Sequence, residues 1–357
     1  MYRHKVRLGS KEVGEGNSCY FIADIAANHD GSMERAIDLI YAAKEAGADC
    51  AKFQHFTAKT IVSDFGFQGS KGRVSHQSGW KKSVFEVYDE YHTREEWTSE
   101  LVKACTNVGI DFMTTPYNLA VTESLDDFVV GYKIGSGDIT FKELLEGLAK
   151  KQKPLLLATG ASNIGEVTEA VKMLLQGNQE LCLMQCNTNY TGSTENFKFS
   201  NLRVLETFAK LWPGLPLGLS DHTPGHSAVL GAVALGARVV EKHFTDDNSR
   251  IGPDHSFALN PVTWRAMVDA VRELEYALGD GKKVVEQNER ETVIIQRRAL
   301  CAARNIMSGE IIEHQMLEAL RPCPQGAITP MSVEKIIGKS VKKDVVVGQA
   351  IFWEDLV

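Results

Sequence analysis

The feature that most constrains the fold is a repeating rhythm of short apolar runs, each followed by a longer segment whose apolar residues are spaced by three and four. The runs lie at 20–26, 49–54, 111–115, 129–135, 154–157, 181–186, 215–219 and 238–243, with helical-period segments such as 33–46, 94–108, 141–150, 164–175 and 227–236 between them. Spacing of three and four marks one face of an amphipathic helix, and a short, nearly continuous apolar run marks a strand buried on both faces. Eight strands, each followed by a helix, is the composition of a closed (β/α)8 TIM barrel, a fold of about 250 residues. A doubly wound open sheet is the alternative architecture.

Two stretches fall outside the rhythm. Residues 55–92 form a connection too long for an ordinary βα loop; Ser70-Lys-Gly-Arg73 and Gln77-Ser-Gly-Trp80 within it suit a lid or binding loop, with Gln77 and Trp80 as candidate substrate contacts. After the last barrel helix the polar stretch 281–293 reads as a linker, dividing a barrel domain at 1–280 from a small β-rich module at 294–357. The module has short β-type runs at 298–303, 342–346 and 350–353. A unit that small supplies only a few kcal/mol from its own core, so it is expected to lean on the barrel or on a second subunit.

Composition narrows the function. With 43% hydrophobic and 24% charged residues in 357, the chain is an ordinary globular one. A formal charge of -7 provides no basic excess for nucleic acid or for anionic membranes. The N-terminus has no apolar signal region and no stretch is long enough to span a bilayer, so a cytoplasmic protein is expected. The seven cysteines contain no C-x-x-C pair and are read as reduced, Cys186 included, for want of a neighbour that would activate it.

Active sites of such barrels sit at the C-terminal ends of the strands, and the polar residues there are Asp24, Asn28 and His29, Lys52 and Gln54, Thr114 and Thr115, Lys133, Ser136 and Asp138, Thr159, Asn187 through Tyr190, Ser220 through His222, and Glu241 through His243 with Asp246. Two lysines directed into a barrel need an anion; with hydroxyl donors Thr115, Ser136 and Ser220 they describe a pocket for phosphate and carboxylate. His222 and His243 end adjacent strands and suit either one shared divalent ion or two structural hydrogen bonds. Asp24 suits acid–base chemistry or a salt bridge to Lys52, Asp138 a site role or a helix N-cap, and Asp254 a site role or a turn.

These residues sit in motifs that resemble the sialic acid synthase family, the phosphoenolpyruvate-condensing enzymes of N-acetylneuraminate and related nonulosonic acids. The resemblance is carried by Ile22-Ala-Asp-Ile-Ala-Ala-Asn-His-Asp-Gly31, Ala51-Lys-Phe-Gln54, Thr114-Thr-Pro116, Tyr132-Lys-Ile-Gly-Ser-Gly-Asp138, Ala158-Thr-Gly160, Gly218-Leu-Ser-Asp-His-Thr223, Glu241-Lys-His-Phe-Thr245 and Gly252-Pro-Asp254, and it extends to the final module, which resembles the family's antifreeze-like (SAF) domain. It implies a transferase that binds phosphoenolpyruvate through Lys52, Lys133, Thr115, Ser136 and Ser220, with Thr188 alongside, and a Mn2+ or Mg2+ ion on His222 and His243. The acceptor it implies is an open-chain N-acetylated mannosamine-type sugar, held by Gln54, Asp138, Tyr190 and Asp254, with Asp24 handling protons. Arg321 would reach the N-acetyl group across a domain-exchanged homodimer. The chain departs from the family in carrying Asp24 and Asp138 where Glu is common, Ala158 where some members have serine, and Thr188 where Asn is often found. The same chemistry on a 2,4-diacetamido-dideoxy sugar, on a sugar phosphate, or an inactive carbohydrate-binding scaffold are the other readings.

Overall fold

All eight apolar runs are strands, and they close into one parallel barrel in a computed structural model that describes residues 2–69, 77 and 80–357. An antiparallel hairpin of β1 (Lys5–Leu8) and β2 (Lys11–Gly14) precedes them. The barrel strands are β3 (Tyr20–Asp24), β4 (Cys50–His55), β5 (Asp111–Pro116), β6 (Tyr132–Ile134), β7 (Leu155–Ala158), β8 (Leu181–Cys186), β9 (Leu217–Asp221) and β10 (Ala237–His243), with β10 pairing back onto β3. The chain divides into two units, Met1–Gly279 and Asp280–Val357.

Helix α1 (Met33–Glu45) follows β3, and the long connection after β4 carries α2 (Ala58–Ile61), α3 (Asp64–Gly69) and α4 (Val84–Tyr91). The rest of the barrel's helices are α5 (Thr98–Val108), α6 (Ala120–Leu125), α7 (Lys142–Lys150), α8 (Ile164–Gly177), α9 (Val204–Leu211), α10 (Ser227–Ala234) and α11 (Pro261–Leu278). Local chemistry starts them: the side chains of Ser32, Ser83, Asn163 and Asn260 accept hydrogen bonds from the first-turn N–H groups of α1, α4, α8 and α11.

Strand alternation sorts the core into two. Phe21, Ala51, Phe53, Leu155, Leu157, Leu181, Leu183 and Val240 face outward onto the helices. Tyr20, Ile22, Cys50, Met113, Leu156, Cys182, Met184 and Val239 fill the lower interior together with Val6, Leu8 and Val13 of the hairpin. The hairpin thus supplies three apolar side chains to the barrel's interior core, at the end away from the strand C-termini. From the sequence no strand is expected here, because strands of four residues with half their side chains exposed barely raise local hydropathy.

Strand ends also shift from the expected ones. β3 stops at Asp24 rather than at 26, where Ala26 takes a left-handed φ of 44°. β9 runs on to Asp221 rather than ending at 219, and β6 is three residues long, since hydropathy follows burial and not ladder pairing. In the 55–92 connection three short helices replace the expected irregular loop, while Ser70-Lys-Gly-Arg73, Ser78 and Gly79 lie outside the described residues. Among the described residues no helix is long and apolar enough to cross a membrane.

The second unit begins with the stretch expected as linker, whose end is taken by α12 (Arg290–Gln296). Strands β11 (Ala299–Ala302) and β12 (Leu317–Leu320) pair antiparallel, whereas the expected runs 342–346 and 350–353 join only through single bridges such as Ile306 to Val345 and Cys301 to Ala350. Leu300, Ile306, Ile312, Ile336, Val341 and Ile351 form this unit's own core.

Candidate active site

The alternation that puts apolar residues in the lower interior puts charged ones above them. Asp24, Lys52, Thr115, Lys133, Ser220 and Glu241 share the inward parity and are each at most 4% exposed. Two ion pairs cross this layer: Lys52 Nζ lies 2.7 Å from Asp24 Oδ2, and Lys133 Nζ 2.6 Å from Glu241 Oε1. Lys52 also donates to Thr115 Oγ1 at 3.1 Å, and Ser220 Oγ donates to Glu241 Oε1 at 3.1 Å. Burial alone would discharge such groups, but their neighbours reverse it. Against desolvation, Lys52 and His243 hold Asp24 below the ordinary aspartate pKa, Asp24 and Glu241 hold Lys52 above the ordinary lysine value, and Lys133 and Lys52 hold Glu241 down.

The two lysines therefore face inward as expected, but the protein itself provides the first anion to each. Asp24 forms the salt bridge to Lys52 that was one of its two readings. Glu241 was in the polar inventory without a role; its parity with His243 on β10 was the available signal. Its second carboxylate oxygen is buried without a hydrogen-bond partner among the described residues, an uncommon state for a charged atom.

Above the lysines stand the two histidines, with ring centroids 5.4 Å apart. His222 Nδ1 lies 3.0 Å from the carbonyl of Asn187, which can only accept, so Nδ1 carries a proton, and against burial the hydrogen bonds to Cys186 and to this carbonyl raise the His222 pKa above the ordinary histidine value. His243 is placed between two carboxylates, with Nε2 3.8 Å from Asp24 and Nδ1 3.6 Å from Asp254, and Nδ1 is buried without a hydrogen-bond partner. Burial keeps the His243 pKa below the ordinary histidine value, which favours the neutral, ligating form. With the rings this close, the orphaned Nδ1 of His243 and the Nε2 of His222, available once His222 gives up the proton that Cys186 favours, fit a shared divalent ion. Among the described residues no cluster of three or more His, Cys, Asp or Glu could hold a metal, so the remaining positions would be open.

Gln54 Nε2 donates to Asp24 Oδ2 at 3.1 Å, and the Tyr117 hydroxyl donates to Gln54 Oε1 at 3.3 Å. The Tyr190 ring packs at a tilt of 58° against His222, with centroids 4.2 Å apart. Asp254 accepts from the Ala27 N–H at 3.2 Å and is directed into the site, not used as a turn former. Asp138 is not an N-cap: the N-cap of α7 is Phe141, and one Asp138 carboxylate oxygen is buried without a partner among the described residues. Burial raises the Asp138 pKa to about 6.

Ser136, Thr188 and Cys186 meet at Gly160, whose N–H donates to Ser136 Oγ at 2.9 Å. A Cβ on Gly160 would stand 1.9 Å from Thr188 Oγ1 and 2.9 Å from Ser136 Oγ. Gly160→Ala is therefore expected to push both hydroxyls aside and to raise the KM for an anionic substrate about tenfold or more, measured by steady-state kinetics, with a smaller change in Tm. Cys186 departs from the expectation of an inert thiol. Although burial opposes it, hydrogen bonding to His222 and the charge of His222 draw the thiol pKa down.

A cavity of about 180 Å3 opens over this layer, lined by Gln54, Tyr190, His243 and Asp254 on the barrel side and by Phe56, Gln77, Trp80, Tyr88 and Tyr117 on the other. Gln77 and Trp80 thus reach the site from the long connection. The wall of Phe56, Tyr88 and Tyr117, with ring centroids 5.2 and 5.5 Å from Phe56, was not singled out from sequence. Arg321 lies in the second unit, just after β12, and is exposed.

The barrel and its charged mouth belong to a known class. Residues 39–283 match the NeuB family and residues 297–357 match the SAF domain. The chain belongs to the NeuB family, that of the nonulosonic acid synthases, and carries its (β/α)8 barrel followed by a SAF domain. It is 33% identical to the N,N'-diacetyllegionaminic acid synthase of Legionella pneumophila over 98% of this chain and 97% of that one. It is 32% identical to the human N-acetylneuraminate-9-phosphate synthase over 92% of this chain and 90% of that one. The crystal structure of N-acetylneuraminic acid synthetase from Leptospira borgpetersenii, in complex with citrate, superposes with a TM-score of 0.70 and 25% identity, covering 82% of this chain and 96% of that one.

Proposed function

We propose that this protein condenses phosphoenolpyruvate with an open-chain N-acetylated mannosamine-type sugar, most simply N-acetylmannosamine, to form N-acetylneuraminate. The observation that carries the reading is the pair of buried lysine–carboxylate bridges directly beneath the two histidines. Lys52, Lys133, Thr115, Ser136 and Ser220, with Thr188 at the corner, bind the phosphate and carboxylate of phosphoenolpyruvate. His222 and His243 would hold Mn2+ or Mg2+, which when bound supplies Lewis-acid polarisation of the acceptor aldehyde. Gln54, Asp138, Tyr190 and Asp254 orient the sugar hydroxyls so that the aldehyde carbon faces the enol carbon. The enol carbon forms the new carbon–carbon bond, water adds to the cationic carbon left behind, and phosphate departs by C–O cleavage. Asp24, held ionised beside Lys52, accepts the proton of the attacking water. Arg321 contacts the N-acetyl group from a partner subunit in a domain-exchanged homodimer, a reading supported by its place in the SAF domain.

A second acceptor, a 2,4-diacetamido-dideoxy sugar leading to legionaminic or pseudaminic acid, is favoured by the aromatic wall of Phe56, Tyr88 and Tyr117, which suits apolar acetamido and deoxy groups. Product mass spectrometry with both acceptors, alongside metal chelation, tests the reading. Condensation product and inorganic phosphate are expected with N-acetylmannosamine and are expected to vanish with EDTA and return with Mn2+. Product only from the diacetamido sugar would establish the second acceptor, and phosphate release without any sugar would refute both.

A further inference from the structure

Directly behind the two histidines, on the outer face of the barrel wall, lies a buried ion pair that the chemistry above does not use. Asp221 and Lys242 are register partners in the β9–β10 ladder, and each immediately precedes one of the histidines. Alternation turns His222 and His243 inward and turns Asp221 and Lys242 outward beneath the helices. Lys242 Nζ lies 2.5 Å from Asp221 Oδ2 and donates to the Thr223 carbonyl at 2.6 Å. Asp221 also accepts from the Thr223 N–H at 3.0 Å and from its hydroxyl at 2.9 Å. All three residues are at most 5% exposed.

We infer that Asp221, Lys242 and Thr223 are positioning residues that fix the separation and aim of His222 and His243. The lysine on β10 grips the backbone of β9 on the far side of His222, at Thr223, while its carboxylate partner grips it on the near side. His222 is thus bracketed by contacts to the residue before His243, and its ring is separately oriented by the Asn187 carbonyl. Two side chains that must meet one ion tolerate little drift, and outer contacts of this kind set ligand geometry. A buried pair placed only for stability has a weak rationale, since an apolar pair of the same size usually serves as well or better.

The inference rests on the reading of His222 and His243 as a divalent-cation site, so the test measures Mn2+ binding directly, by electron paramagnetic resonance and calorimetry on the full chain. His222→Ala is expected to abolish tight Mn2+ binding. The double variant Asp221→Asn/Lys242→Met removes both charges together and leaves no uncompensated buried ion. It is expected to weaken Mn2+ binding by about 10- to 100-fold and to broaden the bound-Mn2+ spectrum, with Tm close to that of the parent. Thr223→Val, a near-isosteric change that keeps the ion pair, is the second variant should the double one not fold, with an expected loss of about three- to tenfold. Parental Mn2+ affinity in the folded variants, alongside its loss in His222→Ala, overturns the positioning role alone. Parental affinity in His222→Ala overturns the cation site and the positioning role with it.

Discussion

Lys133→Ala is expected to remove phosphoenolpyruvate turnover and to destabilise the barrel in the same step. Lys133 is the close cationic partner of Glu241, 2.6 Å away in a layer almost without solvent. Taking the ammonium away leaves a buried carboxylate that Ser220 and the more distant Lys52 only partly compensate, and such breaks cost about 3–5 kcal/mol. The loss of a charged donor to the phosphate or carboxylate of the substrate is worth about 100- to 1000-fold in rate. The two effects separate in Lys133→Met/Glu241→Gln, where no buried charge remains: most of the stability is expected to return and the activity is not. Urea unfolding with an unchanged m-value, read beside phosphate release, distinguishes them. A double variant as unstable as Lys133→Ala would show that the interior pair is not the source of the loss.

Asp138→Asn is expected to do the opposite to stability. Burial raises this carboxyl from an ordinary 3.8 to about 6, so the folded chain holds the proton more tightly than the unfolded one. A raised carboxyl pKa contributes stability that is complete below about pH 4 and is lost as the pH rises through 6, leaving an ionised, poorly solvated group at pH 7. Asparagine carries no such cost, and the variant is expected to be more stable at pH 7–8 by on the order of 1–3 kcal/mol, with no gain at pH 4. Activity should move the other way, with kcat/KM for the acceptor down by about 10- to 100-fold, and with the limb near pH 6 missing from its pH profile. Thermal melts from pH 4 to 8 give the first result and steady-state kinetics the second. A destabilised variant at pH 7.5 would contradict the burial argument.

The two carboxylates expected to be shorter than those common in the family are differently placed. Asp24 reaches Lys52 at 2.7 Å without the extra methylene, because β3 and β4 are ladder neighbours with these two residues in register. Asp138 reaches no donor among the described residues, and one of its oxygens stays buried and unpaired. The first departure is absorbed by the barrel wall. The second leaves a buried acceptor near Tyr117, whose side chain helps line the cavity.

What could be read from the residues alone was whatever depends on short range. Strand periodicity is local, so the inward parity of Lys52, Lys133, His222 and His243 followed from the spacing of their neighbours. Eight strand-like runs implied the barrel, and the ordered motifs implied the family. Only the tertiary structure decided which charges meet. Closure of β10 onto β3 brings His243 opposite Asp24, and the width of the barrel sets Glu241 against Lys133, 108 residues earlier in the chain. These distances depend on the tilt and stagger of all eight strands together, which no single segment encodes. The aromatic wall was hidden for the same reason: Phe56, Tyr88 and Tyr117 come from three separate elements, and only the packing of the long connection over the barrel mouth makes them neighbours.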